Sequence, residues 1–272
     1  MMEKAVRFEK AGFGQRVKSM LKVDFRRMFK SRLFYILIAC ALVIPILMTV
    51  MMTMMDGSVS VDPQTGVETV IHGPENAWQS IGTLPTADGA AMGGMDVMAM
   101  CNINMMFMGV AVFICLFISE DFRSGYAKNL FTVRAKKGDY VVSKTVAGFV
   151  CGTIMLIAYL LGAMLGGAIS GLSFDLCGLS VGNIVMCMIA KVFLMLVFVA
   201  IDVIVSVAAK QKAWLCLCGS LGAGMLLFMM VSMITPLGST MMNVVLCLAG
   251  SAMFAVGLGA ISTKILGKTS LV

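Results

Sequence analysis

The sequence predicts an all-α integral membrane protein of six transmembrane helices, with an amphipathic helix ahead of the first and both termini in the cytoplasm. Three observations predict it. The 272 residues are 60% hydrophobic and only 13% charged, whereas a soluble domain is about half apolar and a quarter charged. The apolar residues fall in runs long enough to cross about 30 Å of hydrocarbon as helices, placed at 33–54, 97–119, 145–169, 184–208, 213–234 and 243–266. The cations then sort by side. Residues 1–32 carry ten Lys/Arg, 120–144 six, 209–212 two and the C-terminal end two, while 55–96, 170–183 and 235–242 carry none. Six spans with both ends inside put every one of these cations in the cytoplasm, as the positive-inside rule requires. The net charge of +7 is thereby a matter of topology and gives no reason to expect nucleic acid.

Residues 1–32 form the cytoplasmic N-terminus and 33–272 the transmembrane domain. Val17, Met20, Leu21, Phe25, Met28 and Phe29 follow helical spacing over 14–32, with Arg16, Lys22, Arg26, Arg27 and Lys30 mostly opposite. A basic helix of this kind lies on the membrane surface, attracted by anionic lipid. Asp24 falls within its apolar face and calls for a basic partner, on this chain or on a partner protein. No secretory signal is expected, because polar and basic residues precede the first apolar run.

The first span carries Pro45, expected to kink it for packing. The outer segment 55–96 holds six acids, no Lys/Arg and the single histidine, His72. Its VSVDPQTGVETVIHG stretch reads as a hairpin turning at Asp62 to Gly66, and Gly89 to Gly94 reads as flexible. One histidine is no zinc site, which needs three or four ligands, so no metal is expected. The third span carries Gly148-x-x-x-Gly152 and Gly162-x-x-x-Gly166, and the sixth Ser251, Ala255, Gly259 and Thr263, spacings that let membrane helices approach closely. The fourth span holds the only ionisable groups deep in lipid, Lys191 and Asp202. They share a face roughly 16 Å apart along the axis, too far to pair, and are the candidates for a translocation path. Lys191 is near enough to the outer end to snorkel. The nine cysteines read as small buried apolar residues.

The charged stretch EDFRSGYAKNLFTVRAKKGDYVVSK, 120–144, is longer than a tether needs. It reads as a short helix, a break at Gly138-Asp139 and a run into the next span. Glu120, Gly125, Lys128-Asn129-Leu130 and Lys144, following an apolar span, resemble the first cytoplasmic loop of ABC-2-type permeases, the membrane subunits of a class of ABC exporters. Arg134 and Lys137 stand where that family usually has Pro and Arg. LKVDFRRMFKSRLFYIL is similar to the family's N-terminal elbow helix.

The resemblance implies a transport subunit without an ATPase of its own, a multi-pass protein of the bacterial plasma membrane. It implies a cytoplasmic ABC ATPase as partner, which binds ATP and Mg, and a second permease subunit, identical or related. It implies that 120–144 is a coupling helix docking on that ATPase, with Glu120, Asp121, Gly125, Lys128, Asn129, Asp24 and Arg27 carrying the coupling. An antimicrobial peptide or drug is the expected cargo. Gly267-Lys268-Thr269 fails as a phosphate loop because Ser262 stands where glycine is required. Two other classes remain: an ion-coupled secondary transporter using Asp202 and Lys191, and a membrane anchor or sensor that moves nothing.

Overall fold

The computed structural model describes residues 12–61, 68–70, 73–82, 102–133, 136–210 and 212–268. His72, Gly89 to Gly94, the hairpin tip Asp62 to Gly66, Arg134 and Thr269 lie outside them. Helix α1 is Phe13–Lys30 and α2 Arg32–Met54; α3 is Met105–Arg123, α4 Tyr126–Val133, α5 Lys137–Ile169, α6 Val181–Ala209, α7 Ala213–Ile234 and α8 Met241–Lys268. The helices α2, α3, α5, α6 and α8 are each long and apolar enough to cross a membrane. Helix α7 has 22 residues and is also apolar. The protein is an integral membrane protein built almost wholly of helix. Among the described residues there is one small sheet, β1 (Val59–Val61) and β2 (Glu68–Val70), antiparallel with Val59 opposite Val70.

Helix α5 is the mast of the bundle. Its 33 residues make it roughly 50 Å long at about 1.5 Å per residue, well beyond the hydrocarbon thickness. Its basic end carries Lys137, Asp139 and Lys144, the last two buried against other elements. The glycines of α5 bring three neighbours close. A Cβ on Gly162 would stand 2.2 Å from the Leu42 carbonyl oxygen and 2.7 Å from Pro45 Cγ. Pro45 is thus a buried packing element of α2, and the Thr49 hydroxyl donates to the Pro45 carbonyl at 2.8 Å. Further along, Gly148 receives Ile114 of α3 and Val199 of α6, and Gly152 receives Met195 and Val110. Helix α8 lies along α6 and touches α5, with Ser251 buried and Thr263 against Gly138. Its other face, including Met253, Phe254 and Val256, is apolar and exposed.

Three boundaries differ from those expected. Helix α3 starts at Met105, not 97, because the Asn102 side chain accepts from the Asn104 N–H at 2.9 Å and turns the chain there. It also runs on to Arg123. Gly138-Asp139 is not a break: both lie in the first turn of α5. An acid is favoured there by the helix dipole, and Arg16 of α1 holds Asp139 at 2.8 Å. The break instead precedes Lys137, with Lys136 extended.

The end opposite the cations is knitted by polar backbone contacts. The Asn76 amide donates to the Asp175 carbonyl at 2.6 Å, and the Trp78 indole to the Phe174 carbonyl at 3.2 Å. Ile103 N–H donates to Ser80 O at 3.0 Å, so the 73–82 segment is stitched both to the α5–α6 loop and to the start of α3.

Candidate functional site

At the basic end, α1, α3 and α5 meet around four charges, three of them buried and the fourth, Arg27, partly exposed. Asp24 arrives on the inner face of α1, with Met20 and Met28 one turn either side, all buried. Asp121 arrives on α3, in step with buried Ile114 and Ile118. Lys144 arrives on the second turn of α5. Its ammonium contacts Asp24 Oδ1 at 2.8 Å and Asp121 Oδ2 at 2.6 Å, and none of the three side chains is more than 1% exposed. Arg27, one turn beyond Asp24, closes the group on Asp121 Oδ1 at 2.5 Å. Two acids and two bases make the set neutral, which is the condition for leaving charges in a low-dielectric place.

Hydrogen bonds and rings complete it. Ser143 donates to Asp24 Oδ2 at 2.6 Å and the Tyr140 hydroxyl to Asp121 Oδ2 at 2.9 Å. The Lys144 ammonium lies 3.9 Å from the Phe117 ring centroid and the Arg27 guanidinium 4.4 Å from that of Tyr126, favourable cation–π placements. Burial opposes the charge of Arg27, but the Asp121 carboxylate more than restores it, so its pKa lies above the ordinary value.

Helix α4 rests on this foundation. Ala127 is buried and Phe131 meets Tyr140 edge-on at 5.3 Å, so one face of α4 is fixed to α5. Lys128 and Asn129 are on the exposed face. Gly125 makes the corner between α3 and α4 at φ +74°, a left-handed conformation that a side chain disfavours. Lys137 donates to the Leu266 carbonyl at 2.8 Å, tying the start of α5 to the end of α8.

Of the residues expected to act together, the structure gathers Asp24, Arg27 and Asp121, and keeps Gly125, Lys128 and Asn129 next to them on the surface. It moves Glu120 out. The elbow arginine pairs with Asp121, whereas Glu120 is exposed and makes no ion pair among the described residues. One residue of helical phase decides this: Asp121, not Glu120, continues the buried stripe of Ile114 and Ile118. The partner called for by Asp24 is Lys144 of this chain. Ser143 and Tyr140 were missed, although Tyr140 stands one turn before Lys144 and Ser143 next to it.

The two intramembrane charges lie on separate stretches of α6. Lys191 does not snorkel. It is wholly buried, and its ammonium donates to Asn104 Oδ1 at 2.7 Å and Thr235 Oγ1 at 3.0 Å. Those two acceptors on neighbouring elements hold it inward. Asp202 is buried too, and its Oδ2 has no hydrogen-bond partner. Near it, Ser206 bridges two thiols, 2.9 Å from Cys216 Sγ and 3.7 Å from Cys115 Sγ. These cysteines serve a polar junction of α3, α6 and α7, beyond the small apolar role expected of them. Cys40, Cys177 and Cys218 are exposed.

This is the build of a multi-pass membrane permease: an amphipathic helix clamped by buried charge under a bundle, and a short surface helix mounted on the clamp. The family model described as ABC-2 family transporter protein matches residues 20–221, which include α1 from Met20 onward, the four charges and α4. The chain belongs to the ABC-2 transporter family and is a membrane permease of an ABC transporter, a family whose members partner with a cytoplasmic ABC ATPase. No curated protein and no solved structure matches it.

Proposed function

We propose that the chain is the permease subunit of an ATP-driven exporter, and that α4 is the surface on which the ATPase docks. The observation that carries this is the mounting of α4. It stands on Tyr140 and on the charge cluster that joins α1, α3 and α5, so a push on Lys128 and Asn129 is delivered to three elements at once. Gly125 sets the angle of α4, and Asp24, Arg27, Asp121 and Lys144 pass the load inward. Glu120, exposed where α3 ends, flanks this path.

In this reading the basic end is cytoplasmic, α7 is a sixth span beside the five long helices, and both termini are inside. Residues 1–32 are the cytoplasmic elbow region and 33–272 the transmembrane domain. ATP and Mg are held by the ATPase partner, and a second permease subunit completes the transporter. The six acids and absence of Lys/Arg in 55–96 favour a cationic cargo such as an antimicrobial peptide by raising its local concentration at the outer face. Lys191 and Asp202 line the route through the bundle.

Gentle purification from the native membrane, followed by mass spectrometry of stoichiometric partners, tests the reading. A cytoplasmic ATPase that accompanies the chain and is lost with Lys128→Glu supports it. If no ATPase accompanies the chain, the reading fails. The orphaned oxygen of Asp202 favours one alternative, ion-coupled transport. ATP-independent flux driven by a proton gradient and abolished by Asp202→Asn would establish that instead.

A further inference from the structure

A cleft of about 320 Å³ opens beside the charge cluster, lined by Arg27, Ser31, Leu33, Phe113, Leu116, Phe117 and Glu120. It lies between the end of α1, the start of α2 and the basic end of α3, level with the rim of the bundle. Its wall is divided. Leu33, Phe113, Leu116 and Phe117 supply an apolar floor continuous with the spans. Arg27, Ser31 and Glu120 supply a polar rim of mixed charge.

The rim groups are available. Arg27 gives Nη1 to Asp121, yet its side chain stays 30% exposed, and a guanidinium has further donors in its fork. Ser31 joins α1 to α2, but its hydroxyl caps neither helix. The cleft also borders the first turn of α2, whose open backbone N–H groups favour an anion. Glu120 faces the same space and does not pair with Arg27, so a cationic and an anionic group border one cavity without cancelling each other.

We propose that this cleft is a binding site for an aminophospholipid of the cytoplasmic leaflet, such as phosphatidylethanolamine. The phosphate meets Arg27 and the Ser31 hydroxyl, the ammonium meets Glu120, and an acyl chain lies over Leu116 and Phe117. The mixed rim selects the headgroup. A purely anionic lipid sets its charge against Glu120. A choline headgroup carries no N–H to donate to that carboxylate. The lipid would then sit between α1 and α3, wedged against the Arg27 side of the cluster. This assignment rests on the basic end facing the cytoplasmic leaflet, and it gives Glu120 a role separate from ATPase docking.

The test is native mass spectrometry of the full chain in mild detergent, titrated with phosphatidylethanolamine, phosphatidylcholine or phosphatidylglycerol, without ATP or ATPase. Phosphatidylethanolamine is expected to bind about tenfold more tightly than the other two, and Glu120→Gln to abolish that preference. Leu116→Trp, which fills the cleft, is expected to remove retention of all three. Melting profiles confirm that each variant is folded. Equal affinity for the three lipids, or a preference indifferent to Glu120→Gln, overturns the proposal. Displacement of the lipid by water-soluble glycerophosphoethanolamine also overturns it, because the site would then be one for a soluble phospho-amine. Since no ATPase takes part, a negative result here leaves the docking surface on α4 untouched.

Discussion

Replacing Lys144 with methionine leaves two carboxylates, Asp24 and Asp121, to share the single cation Arg27 in a place with almost no water. The distances of 2.8 and 2.6 Å and the burial of all three side chains make this the removal of one partner from a buried ion pair. That costs about 3–5 kcal/mol. At about 2–4 °C per kcal/mol for a chain of this size, the thermal midpoint in detergent falls by roughly 6–20 °C. Asp24→Asn alone costs less, because Lys144 keeps Asp121. The decisive variant carries both changes. Asp24→Asn with Lys144→Met leaves Arg27 and Asp121 as a neutral pair, so its midpoint is expected to recover to within about 1–2 kcal/mol of the parent. Fluorimetric melting of the four proteins in one detergent closes this cycle. If the double variant loses the sum of the two single losses, charge balance is not what holds α1 to α3 and α5.

Four further variants follow from the geometry. Gly125→Val, at φ +74°, strains the corner by about 1–2 kcal/mol and is expected to reduce ATPase co-purification, with the melting midpoint falling by no more than roughly 2–8 °C. Gly162→Ala forces a Cβ to 2.2 Å from the Leu42 carbonyl oxygen and is expected to deplete folded protein. Gly222→Ala, with nothing within 4 Å, is expected to be neutral or up to about 1 kcal/mol stabilising, and expression with size-exclusion profiles separates the two. Lys191→Met removes an ammonium held by neutral acceptors, so the midpoint is expected to hold while export falls. A parallel loss of both would make Lys191 a structural residue only.

Much of the architecture was legible because the membrane imposes it. Runs near 20 residues and the sorting of cations are consequences of hydrocarbon thickness and insertion, and α2 and α7 sit where those signals put them. Helix ends were harder. Asp139 looked like part of a break, but its pairing with Arg16 lies 123 residues away in sequence, beyond the reach of local pattern. The same limit explains the site. That Asp24 needed a partner was readable from its place in an apolar stripe. Which cation answered was not, since Lys144 is a tertiary neighbour. That Asp121 is buried in the cluster while Glu120 stays exposed turned on one residue of helical phase, which composition leaves open and buried neighbours decide. Lys191 stands near enough to the outer end to snorkel; only Asn104 and Thr235, on two other elements, show why it does not.

The long sequence gap within the charge cluster has a consequence for biogenesis. Asp24 and Lys144 are separated by 120 residues. At a synthesis rate of about 5–20 residues per second, the acid on α1 waits roughly 6–24 s after its own synthesis before its lysine is made. For most of that interval Asp24 and Arg27 are the only members of the cluster yet made, because Asp121 follows Asp24 by 97 residues. The arrival of residue 144 supplies the cation that completes the cluster, so a chain that stops short of it lacks the joint that ties α1 to α3 and α5.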